Sequence, residues 1–186
     1  MRVRDIVASA LKLIGRAELD HDLLCPSQST EEDAEEVVDT LMYCFNAVED
    51  ELARKYIPLV ASEEMSSDNN RFLYSAFKHC PIKIRRVTVN NKPVTFDMFT
   101  KYMSVQAKKI VVEYEYAPKR KTIEDDSEYD DGVGEYLIAL GIASEYSIIN
   151  GEAEMADRWE NKYRAQLDKV QRALPVCANI PPRRWV

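Results

Sequence analysis

Glycine is scarce in this chain, 5 residues of 186, and histidine scarcer at 2, so little of it is flexible linker and no histidine stands at metal-ligand spacing from another ligand. The 4 cysteines, Cys25, Cys44, Cys80 and Cys177, lie far apart and include no CxxC pair. Met1-Arg2-Val3-Arg4-Asp5 runs straight into an amphipathic pattern, not a secretory segment, and no apolar run reaches bilayer-spanning length. The expectation is synthesis in a reducing, intracellular compartment and no membrane association. Basic residues are the minority, 25 against 32 acidic ones, for a formal charge of −7. That balance argues against tight non-specific binding to a phosphate backbone, yet it is compatible with a surface that DNA passes without adhering. There is no internal repeat and no low-complexity tract.

What is present is a change of rhythm. From about Ile82 to Ala117 apolar residues alternate at two, as in Lys109-Ile110-Val111-Val112-Glu113-Tyr114-Glu115-Tyr116, whereas on both sides they recur at three and four. Val3, Ile6, Val7, Ala10, Leu11 and Ile14 make one helical stripe, closed by Gly15 as a C-cap. Ser29-Thr30-Glu31-Glu32-Asp33 is a strong helix start. Its helix should run to about Lys55, with Ala34, Val37, Val38, Leu41, Phe45, Val48 and Leu52 inward and Glu35, Glu36, Asp39, Glu49 and Asp50 outward. A third helix is predicted from about Val133 to Ile149, with Tyr136, Leu137, Leu140, Ala143 and Ser144 near its inner face. Gly141 in mid-helix points to close approach of another helix. Asn150-Gly151 breaks the chain, and a fourth helix from about Glu152 to Leu174 completes a helical hairpin.

The predicted class is α+β: a mainly α-helical core of about four helices, an inserted small antiparallel β meander, and an extended C-terminal tail. The expected boundaries are 1–81 and 118–174 for the core, 82–117 for the β lobe and 175–186 for the tail. Within 59–81, Leu59 to Glu63 reads as a short strand, and Arg71 to Tyr74 as a strand or a single helical turn. Asn90-Asn91 is a tight-turn signal, and Pro93 places the second strand of the lobe at an edge or makes it start after the proline.

Searching for chemistry yields little. The acidic run Glu124 to Asp131 does not space as a calcium-binding EF-hand: begun at Ser127 it has Gly132 in place but Ile138 where the bidentate Glu belongs. It reads as a solvated acidic loop. Gly132-Val133-Gly134 lacks the continuation of a phosphate-binding loop. His79-Cys80 has no orienting partner and reads as two residues entering a strand; His21 reads as solvated between Asp20 and Asp22. Lys83, Arg85, Arg86, Lys92, Lys108 and Lys109 make the β lobe more basic than the rest, a pattern that touches nucleic acid or, more often, protects strand edges or meets an acidic protein partner. The tail ends Ile180-Pro181-Pro182-Arg183-Arg184-Trp185-Val186. Prolines hold it extended, and Trp and Arg are favoured interface anchors, so it reads as a docking segment.

The order of a short helix, a long acid-capped helix, a β insertion and a hairpin phrased Tyr136-Leu137-Ile138-Ala139-Leu140-Gly141-Ile142-Ala143-Ser144-Glu145-Tyr146, then Asn150-Gly151-Glu152, then Ala156-Asp157-Arg158-Trp159-Glu160-Asn161-Lys162-Tyr163 resembles the head-to-tail connector, or adaptor, proteins of tailed bacteriophages. The group includes the tail tubular protein A and head-completion adaptors. The resemblance implies a structural, non-enzymatic virion protein at the head-tail interface, made in the host cytoplasm, without cofactor or metal. It further implies a homo-oligomeric ring, commonly of twelve copies, docked on the portal protein and contacting tail components, with DNA passing through its channel unbound. On that reading Ile180, Pro181, Pro182, Arg183, Arg184 and Trp185 dock the portal, Arg85, Arg86, Asn90, Asn91 and Lys92 face the tail, and Glu35, Glu36 and Asp39 are candidate channel acids. Two alternatives stay open: another neck or tail-completion protein that binds the tail tube, and a small intracellular enzyme or nucleic-acid-binding module whose site is not legible.

Overall fold

The computed structural model describes residues 1–19, 32–130 and 132–173, and within Glu32–Ala34 the backbone alone. Helix α1 (Val3–Leu13) buries Val3, Ile6, Val7, Ala10 and Leu11, the expected stripe, and Gly15 takes a φ of +79° just beyond it. Helix α2 (Glu32–Glu51) passes into one π turn over Leu52–Tyr56, where the Ile57 N–H donates to the Leu52 carbonyl at 2.7 Å. That wider turn brings Tyr56 and Ile57 back onto the helical core. Helices α3 (Glu135–Ile149) and α4 (Ala153–Ala173) form the predicted hairpin. Gly134 at the start of α3 has a φ of +85°, which favours glycine there.

The close approach inferred from Gly141 is present. A Cβ at this position would lie 2.8 Å from Val48 Cγ1 on α2 and 3.1 Å from Tyr163 Cε2 on α4, so the missing side chain lets three helices meet. Around that point Leu41, Phe45, Leu137, Ile138, Leu140, Trp159 and Tyr163 fill one core. Each such side chain taken fully out of water contributes about 1.5–3 kcal/mol before chain entropy is set against it. Tyr136, expected on the inner face of α3, is instead 51% exposed. Leu140 and Ala143, on the same face one and two turns on, are buried, so the exposure of Tyr136 belongs to its place in the first turn of α3.

The β unit begins earlier than the rhythm of the sequence indicates. Strand β1 (Leu59–Ser66) pairs along its whole length with β7 (Lys109–Tyr116), so the lobe runs from Leu59 and not from Ile82. Nor is it a single meander. One sheet has the order β1-β7-β3-β4, with β3 at Pro81–Val89 and β4 at Lys92–Pro93. A second sheet, β2-β6-β5, comprises Arg71–Leu73, Tyr102–Ser104 and Asp97–Met98. All pairings are antiparallel. Because β1 and β3 already occupy both edges of β7, the run that precedes it turns away and pairs with β2 and β5. The turn at Asn90 and Asn91, with φ of +50° and +63°, is the expected tight hairpin. Phe72, Val87, Met103, Ile110, Val112 and Tyr114 form a second apolar cluster between the sheets, distinct from the helical one. On β7 the predicted alternation holds: Ile110, Val112 and Tyr114 point inward, while Val111 is exposed.

Candidate interaction surfaces

The hairpin tip presents Asn90, Asn91 and Lys92 to solvent, with Arg85 and Arg86 exposed on β3 below it. Cross-strand register sets Ser62, Glu113 and Arg86 in one row of the outer sheet face and Glu64, Val111 and Thr88 in the next. The Arg85 Nε donates to Glu115 Oε1 at 2.9 Å, and Lys109 pairs with Glu64. The face is thus interleaved in charge, not basic. The carboxylates of β1 and β7 alternate outward beside the cations of β3, so the five residues expected to face a partner are brought together, but with part of their charge offset.

Glu35, Glu36 and Asp39 are exposed on α2, as expected. With Thr40, Tyr43 and Ile149 they line an open depression of about 600 Å³ between α2 and the end of α3. The docking residues Ile180, Pro181, Pro182, Arg183, Arg184 and Trp185 lie outside the described residues, as do Cys25, Cys177, His21 and the Ser29-Thr30 helix start.

A third polar site was not foreseen. Glu49, expected on the outer face of α2, is 1% exposed. Its Oε1 accepts the Ser127 hydroxyl at 2.7 Å and the Glu128 N–H at 2.9 Å, while Oε2 has no partner among the described residues. Burial pushes this carboxyl above the ordinary carboxylate range, against the pull of the two hydrogen bonds and of Lys121. Glu128 behaves oppositely. Burial raises it, but the Lys121 ammonium at 2.9 Å and the nearby His79 outweigh that and hold it below its usual value. Asn46 on α2 completes the junction, accepting from the Lys121 N–H at 2.7 Å and donating to the Lys121 carbonyl at 3.1 Å. Tyr129 donates to the Ile57 carbonyl at 2.8 Å, and the His79 ring lies 4.2 Å from that of Tyr116.

The acidic loop is therefore only partly solvated. Glu124, Asp125, Asp126 and Asp130 are exposed, but Tyr129 is buried and Glu128 half-buried, and the Asp125 carbonyl accepts the Val3 N–H at 3.0 Å. This loop ties the start of α1, the C-terminal end of α2 and the end of the β lobe into one unit. A signal for it existed, since position 49 lies four residues after Phe45 and three before Leu52, on the buried side of α2.

Cys44 is buried, and burial beside Glu145 pushes its thiol up to about 12; Cys80 is exposed. Among the described residues, no group of three or more His, Cys, Asp or Glu is placed to hold a metal ion. Among the same residues, no helix is long and apolar enough to cross a membrane. No protein-family model matches the chain, and no curated protein sequence matches it.

Proposed function

We propose that this protein is a structural adaptor of a tailed bacteriophage, a subunit of a ring between portal and tail that forms part of the DNA exit channel and completes the head. The observation that supports this most directly is exposed apolar surface on both bodies of the subunit. The helical body exposes Tyr43, Tyr136, Ile148 and Ile149, and the β lobe exposes Leu73, Met98 and Phe99. Clustered large apolar side chains mark surfaces that another protein covers. Two different surfaces on one subunit fit the head-to-tail contacts of a closed ring, or a ring that also meets a different component below it. The acids Glu35, Glu36 and Asp39 are channel-lining candidates, because a like-charged wall lets DNA slide.

The test is co-assembly of the full chain with the portal protein encoded in the same genome, followed by mass determination and electron microscopy. A ring of this protein beneath the portal is the expected result. Deletion of residues 180–186 should abolish attachment while leaving the helical circular-dichroism signal unchanged. Attachment to the tail tube in place of the portal would favour a tail-completion protein, and a truncated chain that binds the portal normally would remove the docking role of the C-terminal segment.

A further inference from the structure

Strand β1 is the longest regular edge of the β lobe, and it lacks the devices that usually blunt an edge. It ends the sheet order β1-β7-β3-β4, with no strand on its outer side among the described residues. Its register with β7 is unbroken, and Leu59–Ser66 holds no proline, lysine or arginine. The opposite edge of the sheet differs. Strand β3 is interrupted between Pro81 and Lys83 and again between Ile84 and Arg86, and it carries Lys83, Arg85 and Arg86. Beyond it, β4 is only Lys92–Pro93. Bulges, cations, proline and shortness keep an edge from pairing with another chain. The inward acid of β1, Glu63, is no deterrent either, because the Tyr114 hydroxyl and the Lys78 N–H both donate to it.

The ladder fixes where the free backbone groups of β1 point. Ser67, one residue past the strand, donates its N–H to the Lys108 carbonyl at 2.8 Å, whereas the Ala117 N–H points the other way, to the Cys80 carbonyl at 3.2 Å. In an antiparallel ladder, alternate residues bond to the same side. Ala61, Glu63 and Met65 therefore turn their N–H and C=O toward β7. Val60, Ser62, Glu64 and Ser66 turn theirs toward the open edge, and these same four residues are the exposed ones of the strand.

We propose that this edge pairs with β1 of a second copy, antiparallel across a two-fold axis at Ser62, so that the two sheets join into one. The occupant is a second copy because an open edge needs a long, unbulged counterpart. Among the described residues β1 itself is the strand that offers one, and a strand that pairs with its own copy does so about a two-fold. Charge sets the register. Centring the pair on Glu63 or Glu64 puts like carboxylates directly opposite each other, which is destabilising. Centring it nearer either end shortens the overlap. Centring it on Ser62 sets Ser62 against Ser62 and Val60 against Glu64, and each such pair exchanges two hydrogen bonds between groups that face the open edge in the single subunit. Val60, 42% exposed, then lies beside the aliphatic stem of Glu64 of the second copy.

This goes beyond the adaptor reading and does not rest on it. The edge lies apart from the apolar side chains assigned there to contacts with other subunits. The test contains no portal, so its outcome is separate from that of the adaptor reading.

The experiment is sedimentation equilibrium of the full chain from about 1 μM to about 1 mM, in reducing buffer so that the exposed Cys80 forms no cross-link. A monomer–dimer equilibrium is expected for the wild type. Ser62→Pro removes an N–H that faces away from β7, so the β1–β7 ladder stays intact while the dissociation constant rises at least about tenfold. Circular dichroism and the urea midpoint verify the fold. Ser62→Lys keeps the N–H but sets two ammoniums opposite each other, with the same expected loss, and it decides the matter if Ser62→Pro fails to fold. Amide hydrogen exchange followed by NMR reads the register. The Val60, Ser62 and Glu64 amides should gain protection as concentration rises, while those of Ala61 and Glu63 are protected throughout. A wild type that is monomeric over the whole range overturns the proposal. So does a dimer that Ser62→Lys leaves intact, or one in which the Val60, Ser62 and Glu64 amides exchange as they do in the monomer.

Discussion

Ser127 donates its hydroxyl to the buried Glu49 carboxyl at 2.7 Å, joining the loop before α3 to the last turn of α2 across 78 residues of sequence. Burial holds Glu49 above the ordinary carboxylate range, so there is a pH window in which the folded chain keeps a proton that the unfolded chain has lost. In that window stability must fall as pH rises. The contribution of neutral Glu49 is complete below the ordinary carboxylate range and is lost as pH passes through the raised folded value. Glu49→Gln keeps an acceptor for Ser127 and Glu128 and removes the titration. Urea unfolding over about pH 4 to 8 should show the stability of the wild type, relative to Glu49→Gln, declining with rising pH. Glu49→Ala strands the Ser127 hydroxyl and Glu128 N–H, at about 1–3 kcal/mol for each left unsatisfied.

Gly141→Ala tests the contact of three helices. Alanine is better than glycine in a helix by about 1 kcal/mol, but its Cβ would sit 2.8 Å from Val48 Cγ1, and overpacking typically costs about 1–3 kcal/mol. The expected net effect is destabilisation, read as a lower urea midpoint. Val48→Ala, destabilising alone, should recover part of the loss when combined with Gly141→Ala, because it removes the two methyls the new Cβ meets. A positive coupling in the double-mutant cycle is the diagnostic result.

The helices were legible because their inward positions obey a single period. Trp159, Tyr163, Leu167 and Val170 are buried at the spacing that predicts α4. Strand β1 was only half legible because an inward position holds Glu63, which breaks the alternation. It is tolerated there because the Tyr114 hydroxyl and the Lys78 N–H, the latter at 3.1 Å, both donate to it. Partners so distant in sequence leave no local signature. The division of the lobe into two sheets was illegible for a similar reason: short strands such as Asp97–Met98 and Tyr102–Ser104 carry too few residues to specify a neighbour. Of the candidate surfaces, the acids of α2 were legible as exposed. The Glu49 junction was not, since an acid at a helical position reads as solvated unless its donors are known.

The outer face of the β lobe should tolerate charge reversal without loss of fold. Arg85 is 38% exposed and its pair with Glu115 is a surface pair, worth about 0–1 kcal/mol. Arg86 and Lys92 are exposed too, Arg86 in the row of Glu113 on the outer face and Lys92 at the hairpin tip. An Arg86→Glu/Lys92→Glu chain sets a second carboxylate opposite Glu113, at a cross-strand cost of up to about 1 kcal/mol, and is otherwise expected to unfold close to the wild type. If this face meets another component of the virion, that chain should lose binding to it while attachment to the portal is retained. Affinity capture of tail components, measured beside urea unfolding, separates the two effects.

Cys44 and Cys80 should differ in reactivity by orders of magnitude, and the difference reports the integrity of the helical core. The thiolate is the reactive form. With its thiol pushed up to about 12 and no exposed surface, Cys44 is almost wholly protonated and shielded at pH 8, whereas Cys80 is open to solvent. Brief iodoacetamide treatment followed by peptide mapping should find Cys80 alkylated and Cys44 unmodified. Because Cys44 packs with Leu41, Phe45 and Val48 in the helical cluster, it can react only through opening of that cluster. Its labelling rate should therefore rise in Gly141→Ala and fall back in the Val48→Ala combination, in step with the urea midpoints. Labelling of Cys44 at the rate of Cys80 in the wild type would show that the core around it is open.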